Sequence, residues 1–208
     1  MSGLDVVWYS VAIMVMMPAQ AKEPAQGEYV DGLLRESAAC MPVMESHIFE
    51  KGRLRASDVP RVLAMIKDHP DYRSYLVLVA LRRDSPKDYK MVAANDRASV
   101  LCSAMAKLTY LNDFGSLSPE EGSDGAVGGA LVELGKPALK KLRPLLDDKE
   151  KAPLCGSEDA TESVQYGYRR ADYAFRYVNL ILEGKTKFDR DVRKRDAAIE
   201  GLKKSLGW

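Results

Sequence analysis

The apolar residues of this chain recur mostly at spacings of three and four, which predicts amphipathic α-helices. Proline stands near the start and glycine near the end of several of these periodic stretches, as is typical of helix boundaries. No stretch alternates between apolar and polar residues over more than a few positions. The pattern therefore predicts an all-α fold of about nine helices.

The predicted helices cover residues 28–40, 57–68, 70–84, 86–92, 95–108, 124–135, 137–146, 161–183 and 191–206. The third of them is apolar on nearly every side between Tyr75 and Leu81, which indicates burial on several sides and a central position. Long polar segments at 110–122 and 147–159 are predicted to be loops. The helix at 161–183 is expected to be the longest.

The stretch GGALVELGKPALKKLRPLLDD, from Gly128 to Asp148, is typical of two short helices joined at a corner. Gly135 can adopt the left-handed conformation that ends the first helix, and Pro137 suits the first turn of the second. Pro144 is expected to kink the second helix. This stretch resembles a HEAT-type helical hairpin, in which neither helix can bury its apolar side alone. Because the match covers only about 124–148 and no fixed period repeats, we expect irregular HEAT-like α-α hairpins in a short superhelical or compact array.

The segment from about 69 to 206 also resembles uncharacterised bacterial proteins that are predicted to be exported. The resemblance lies in the stretches HPDYRSYLVLVALR, TYLNDFG, GKPALKKLRPLLDD and YRRADYAFRYVNLIL. It implies a bacterial source and an extracytoplasmic location, and it implies no particular activity.

The N-terminal residues 1–21 have the pattern of a signal peptide. An apolar run from Val6 to Met17 is followed by Ala19-Gln20-Ala21, a small-x-small sequence typical of signal-peptidase sites. The run is shorter than the about 20 residues that span a bilayer, so we expect no membrane span after cleavage. Residues 22–27 are predicted to be a linker and 28–208 a single domain, in the periplasm or secreted. The leading MSGLD lacks lysine and arginine, which leaves open an apolar helix docked on the core of a cytoplasmic protein.

The net charge of +1 arises from 31 basic and 30 acidic residues, but these are unevenly placed. Residues 112–164 contain six basic and eleven acidic residues, whereas 165–208 contain eleven basic and six acidic residues. We expect the two segments to attract each other within the fold. Nucleic-acid binding through the basic C-terminal third is an alternative that export would disfavour.

Few residues point to catalysis or metal binding. Cys40, Cys102 and Cys155 lie far apart without a CxxC spacing, and His47 and His69 are the only histidines. No catalytic triad or phosphate-binding loop is recognisable. We therefore predict no metal site and no cofactor, with Cys102 in the core and a Cys40–Cys155 pair left open.

The segment 112–124, called here the acidic loop, carries oxygen ligands suited to a hard cation such as calcium. Its Asn112, Asp113 and Asp124 are candidate site residues, joined by Glu120 and Glu121. Their spacing does not fit an EF-hand. Asparagine and aspartate also favour turns, and this structural role is the preferred interpretation.

The predicted helix 161–183 has two contrasting sides. Val164, Tyr168, Ala171, Phe175, Val178 and Leu182 follow one another at spacings of four and three and form its predicted core side. The opposite side, called here the Tyr/Arg face, carries Tyr166, Arg169, Arg170, Tyr173, Arg176 and Tyr177. Tyrosine and arginine are enriched in protein-binding hot spots and can stack on bases. A helix buried on both sides, with its arginines paired to internal acids, is the other interpretation.

These patterns favour a non-catalytic binding or scaffold module for protein–protein interaction. The first alternative is an enzyme with its site between the acidic loop and the Tyr/Arg face, where a carboxylate would act as general acid or base. Nucleic-acid binding is the second alternative.

Overall fold

The computed structural model describes residues 27–118, 124–183 and 188–208. These ranges contain eleven α-helices, several short 3₁₀ turns and no β-strand, which confirms the all-α prediction. The helices are α1 (Glu28–Ala38), α2 (His47–Lys51), α3 (Val59–Asp68), α4 (Tyr75–Asp84), α5 (Pro86–Met91), α6 (Ala94–Lys107), α7 (Gly125–Leu134), α8 (Lys136–Leu142), α9 (Ser157–Gln165), α10 (Arg170–Glu183) and α11 (Val192–Ser205). The predicted signal peptide and all of the predicted linker except Gly27 lie outside the described residues.

Helix α4 is the centre of the N-terminal part. Every residue from Tyr75 to Leu81 is buried, as the apolar sequence predicts. Helices α1, α3, α5 and α6 all pack against it. A 3₁₀ turn, Tyr72–Ser74, precedes α4. The helix therefore begins at Tyr75, five residues after Pro70, where the predicted helix begins.

Helix α6 connects this part to the C-terminal part. It packs against α3 and α4 of the N-terminal part and against α7 and α8 of the C-terminal part. Helix α10 then contacts α7, α8 and the 3₁₀ turn Arg143–Asp147. The core therefore runs continuously from α1 to α10, with Cys102 of α6 buried inside it as predicted.

The α7–α8 hairpin forms where the sequence predicts it. Gly135 has a φ of 59°, a left-handed conformation that strains residues with a Cβ atom, and Pro137 lies in the first turn of α8. Helix α8 ends at Leu142, and the chain continues as a 3₁₀ turn with Pro144 near its start. Proline lacks the amide hydrogen that an α-helix would need there, which explains the change.

The prediction of a single long helix at 161–183 is wrong. The chain forms α9 and α10 with a break at 166–169, where Gly167 has a φ of 58°. Backbone amides at the start of α10 donate to carbonyls of the preceding loop, from Arg170 N to Glu150 O at 3.0 Å and from Ala171 N to Asp148 O at 2.8 Å. In the break, the Tyr168 carbonyl accepts from Ala152 N at 2.9 Å. Because these partners are distant in sequence, helical periodicity does not reveal the break. Val164 is consequently 79% exposed, although the pattern placed it in the core.

Candidate functional site

The break between α9 and α10 holds a buried network of charges around Asp172. Its carboxylate accepts from Arg169 Nη2 at 2.9 Å and from Arg195 Nε at 3.1 Å. It also accepts from the backbone N of Arg169 at 3.0 Å, which caps the start of α10. Arg169 reaches Asp196 as well, at 2.8 Å. The network joins α10, α11 and the break.

The electrostatics of this network fit a structural role. Burial by itself would lower the pKa of the Arg169 guanidinium, but Asp172 and Asp196 raise that pKa above its usual value. Arg195 has all of its donor groups engaged: its Nε on Asp172, its Nη1 on backbone carbonyls of Asp189 and Arg190, and its Nη2 on those of Tyr166 and Gly167. All five N–H groups of the Arg195 guanidinium are thus used inside the fold, and each of the three guanidinium nitrogens of Arg169 donates to Asp172 or Asp196.

The rest of the Tyr/Arg face also lies inside the fold. Tyr173 and Tyr177 are fully buried and donate their hydroxyls to the carbonyls of Gly115 and Phe114, at 3.0 and 2.5 Å. Burial raises the pKa of both tyrosines. Arg176 pairs with Asp124 at 2.9 Å. These contacts fasten α10 to the acidic loop.

The two remaining residues of the face also have intramolecular contacts. The half-buried Arg170 lies 3.7 Å from Asp148, and the half-buried Tyr166 has the Arg190 guanidinium 5.1 Å from its ring centroid. The fold therefore agrees with the interpretation of a helix buried on both sides, and it leaves little of the Tyr/Arg face open to a partner. The assignment of this face to one continuous helix was wrong. The predicted attraction between the two oppositely charged segments is confirmed by the Arg170–Asp148 and Arg176–Asp124 pairs and by Lys203–Asp147 at 2.7 Å.

The three candidate residues of the acidic loop have separate partners. Asn112 bonds both backbone groups of Cys155, at 2.7 and 2.8 Å. Asp113 is buried and accepts from Val43 N and from the Tyr75 hydroxyl, each at 2.7 Å. Burial raises the pKa of Asp113, although these hydrogen bonds oppose the rise.

The loop and α10 therefore meet, but the three polar residues expected to form a site between them do not converge. Asp113, Asp124 and Arg170 belong to three different contacts. Within the described ranges, no cluster of three or more histidine, cysteine or acidic side chains is placed to hold a metal ion. The three cysteines are free, so Cys40 and Cys155 form no disulfide in this structure.

A small cavity lies where α10 and α11 approach the acidic loop. It has a volume of about 30 Å³ and is lined by Leu117, Asp172, Phe175, Arg176, Phe188, Asp189, Arg195 and Ala198. The buried Nε of Arg176 has no hydrogen-bond acceptor in the described part of the chain. A space of this size holds about two water molecules. Its volume is far below the about 300–1,000 Å³ of typical ligand pockets.

Larger spaces are open grooves between helices. The first, between α2, α4 and the start of α7, has a volume of about 350 Å³ and includes Val43, Phe49 and Arg82. The second, about 310 Å³, lies between the start of α3 and the start of α5 and includes Ala56 and Asp88.

A third groove, called here the α6–α8 groove, has a volume of about 320 Å³. Its lining combines apolar walls with two hydroxyls, a thiol and one cation: Pro70, Ser99, Cys102, Ser103, Ala106, Lys141, Pro144 and Leu145. Burial raises the pKa of the Cys102 thiol to about 12, and the nearby Lys141 ammonium only partly opposes this. The thiol is therefore protonated near neutral pH and is not a nucleophile.

Sequence reasoning missed a cluster of cations on and just after α8, of which Lys141 lines this groove. The cluster consists of Lys136, Lys140 and Lys141 of α8 and Arg143 of the 3₁₀ turn that follows. These four residues, called here the α8 cations, are all exposed. No acidic residue occurs between 135 and 146. Counting charge over 112–164 concealed the cluster, because that long segment is acidic overall. A count over a single helix would have found it.

The comparisons with known proteins identify no relative. No family model, curated protein or solved structure matches this chain. The resemblances to HEAT-type hairpins and to exported bacterial proteins therefore stay predictions. Among the described residues, no helix combines the length and the apolar character needed to cross a bilayer.

Proposed function

We propose that this chain is a non-catalytic helical scaffold that binds a protein partner outside the cytoplasm. The observation that carries the proposal is the form of its surface spaces. Grooves of about 310, 320 and 350 Å³ lie open between packed helices, whereas the cavity beside the buried arginines measures about 30 Å³. Open grooves between helices suit a segment or helix of another protein better than an enclosed small substrate.

The sequence supports the other parts of the proposal. The α7–α8 hairpin, with its left-handed Gly135 and its Pro137, is consistent with a HEAT-like arrangement of helix pairs. The apolar run before Ala19-Gln20-Ala21 supports export and a mature chain that starts near Lys22.

The two alternatives receive less support from the geometry. An enzyme between the acidic loop and α10 would have to release Asp124 from Arg176 and Asp113 from Tyr75 before either carboxylate could act. For nucleic-acid binding through the C-terminal third, the buried cations Arg169, Arg176 and Arg195 are not available, because each pairs with an internal acid.

Site-specific photo-crosslinking in the native source organism tests the binding function. A photoreactive amino acid is placed in each groove, at Val43, Ala56 or Ser103, and at Lys90 as an exposed control that lines none of the three grooves. We expect a discrete adduct with the same protein from at least one groove position and none from Lys90. The proposal is wrong if no groove position gives a discrete adduct, or if Lys90 gives the same adducts.

N-terminal sequencing of the protein from its native source tests export. A first residue near Lys22 is expected. An intact Met1 or Ser2 would contradict the proposed extracytoplasmic location.

A further inference from the structure

We propose that the α6–α8 groove binds an acidic segment of the protein partner. This inference rests on the proposed binding function and adds the place of binding and the chemistry of the ligand. It is carried by the positive charge of α8, whose Lys141 lines a groove with apolar walls and half-buried hydroxyl groups.

The first argument is that the α8 cations lack acidic partners. The Arg143 guanidinium contacts a neutral group, with its central carbon 5.9 Å from the centroid of the Trp208 ring. Within residues 27–118, 124–183 and 188–208, no carboxylate forms an ion pair with Lys136, Lys140, Lys141 or Arg143. Three cations of α11 differ, since Arg193 pairs with Asp191 at 3.6 Å, Lys194 with Asp189 at 3.8 Å and the half-buried Lys203 with Asp147 at 2.7 Å. The positive charge on α8 is therefore not neutralised locally, and it favours an acidic ligand.

The second argument is that the groove offers more than charge. Pro70, Ala106 and Leu145 provide apolar walls that are only half-buried in the free chain. The Ser103 hydroxyl donates to the carbonyl of Val100 at 3.0 Å, which leaves its oxygen able to accept from a ligand. A peptide segment can use all of these features together, with its side chains on the walls, its amides on the hydroxyl and its carboxylates on the lysines.

The third argument concerns the other polyanions that lysines attract. Single-stranded nucleic acids are held largely by aromatic side chains that stack on bases, and none of the residues lining this groove is aromatic. Helices that lie on membranes present large apolar side chains beside their cations. The exposed large apolar residues of the described chain are Met44, Met91, Val164, Leu182 and Val192, and none of them is on α8. An acidic protein segment is therefore the favoured occupant.

Binding can be measured by fluorescence anisotropy with the whole folded chain. The probe is a fluorescein-labelled peptide of alternating glutamate and alanine, and glutamine replaces glutamate in the control peptide. We expect saturable binding of the acidic peptide that weakens as the salt concentration rises, and no binding of the glutamine peptide. The inference is overturned if the acidic peptide does not bind up to about 1 mM. Binding of oligothymidylate or phosphatidylserine vesicles without binding of the peptide would overturn it too.

Two kinds of variant locate the site. The triple variant K140E/K141E/R143E should weaken peptide binding about tenfold or more, because three attractions become repulsions. The matched control K67E/K87E/K90E makes the same change of net charge at exposed lysines of α3 and α5, and it should weaken binding less than about twofold. Equal losses in the two variants would show that net charge alone attracts the peptide, and would overturn the inference.

The groove itself is tested by filling it while the α8 cations are kept. Ser103→Trp and, independently, Ala106→Trp place an indole in the groove and should each weaken binding about fivefold. Urea unfolding shows whether each variant is folded, and one folded variant is sufficient for the test. Unchanged affinity in a folded variant would mean that the peptide does not enter the groove.

The outcomes separate this inference from the proposed function. A partner that crosslinks at Val43 or Ala56, together with failure of the acidic peptide, would preserve the binding function and reject this site. Peptide binding that the groove variants weaken, without any crosslinked partner in the cell, would support the chemistry of the groove and reject the proposed function.

Discussion

Replacement of Asp172 by asparagine is expected to destabilise the protein strongly. The substitution keeps the shape of the side chain and removes its charge. The Asp172 side chain is 1% exposed, and those of Arg169 and Arg195 are 9% and 4% exposed. Two buried cations therefore share one buried carboxylate, so its loss leaves positive charge without compensation in a region of low polarity.

The magnitude follows from the burial of the three groups. Removing one partner from a buried ion pair typically costs about 3–5 kcal/mol, because the remaining charge stays desolvated. Arg169 keeps Asp196 as a second acid, whereas the other Arg195 hydrogen bonds go to neutral backbone carbonyls. Arg195 is therefore the group left without an opposite charge. A loss of about 4 kcal/mol would be a large part of the about 5–15 kcal/mol by which folded domains are stable.

Equilibrium unfolding in urea measures this loss. With a denaturant dependence of about 2–3 kcal/mol per molar urea, the midpoint of Asp172→Asn should fall by about 1–2 M. Asp196→Asn is the matched control, since it also removes a carboxylate from Arg169, but the Asp196 side chain is 37% exposed. Exposed ion pairs contribute about 0–1 kcal/mol to the free energy of unfolding, so Asp196→Asn should lower it by no more than that.

The reasoning is refuted if Asp172→Asn loses less than about 1 kcal/mol, or no more than Asp196→Asn. A double-mutant cycle provides a second measure that does not depend on the first. The double variant D172N/R195M no longer contains the unpaired Arg195 charge. Its loss of unfolding free energy should therefore be smaller, by about 2 kcal/mol, than the sum of the losses in the two single variants. Additive losses would show that Asp172 and Arg195 do not interact in the folded protein.

The other predictions concern packing, pH and thiol reactivity. Gly128→Ala should lower the free energy of unfolding, measured in urea, by about 1–3 kcal/mol, because its Cβ atom would lie 2.2 Å from the buried Tyr177 hydroxyl. The Cβ atom of Gly129→Ala meets nothing within 4 Å, so this change should raise the free energy of unfolding by up to about 1 kcal/mol. Equal effects of the two changes would contradict this packing of α7. Because burial raises the folded-state pKa of Asp113, its protonated form is favoured in the fold, and its contribution to stability is full at low pH and is lost as the pH rises. The unfolding free energy of the wild type, relative to Asp113→Asn, should therefore fall as the pH rises above about 3.9, and a rise instead would reject the raised pKa. Cys102 has a buried thiol with a pKa of about 12, so it should resist alkylation in the native protein at mildly alkaline pH and react once urea unfolds the chain. Mass spectrometry measures the labelling, and rapid alkylation of Cys102 in the native protein would contradict its burial.

Much of the fold is predictable from local sequence. The α7–α8 corner depends on the conformational freedom of Gly135 and the fixed φ of Pro137, and both properties belong to single residues. The central position of α4 follows from a run that is apolar on every side, which can be stable only if it is surrounded. The five-residue α2 was missed because a helix so short shows no periodicity, although Ser46 caps it by accepting from Phe49 N at 3.0 Å.

The candidate sites were harder to predict. The Tyr/Arg face was derived by continuing one helix through Gly167, and that step assumed that its backbone bonds were all local. Tyrosine and arginine are also ambiguous, since both can line an interface or complete a core when their polar ends find partners. The α8 cations were visible in the sequence, but nothing in it showed that no internal acid would neutralise them.

The sequence by itself therefore determined the all-α class, the α7–α8 corner and the buried centre of the fold, because apolar periodicity and the backbone preferences of glycine and proline act over a few neighbouring residues. Only the tertiary structure decided which charges are buried in pairs and which face solvent. That outcome depends on segments far apart in the chain, as in the contact of Arg176 with Asp124 and of residues 168–171 with 148–152. Long-range pairing hides the arginines of α10 and leaves the lysines of α8 exposed beside an open groove.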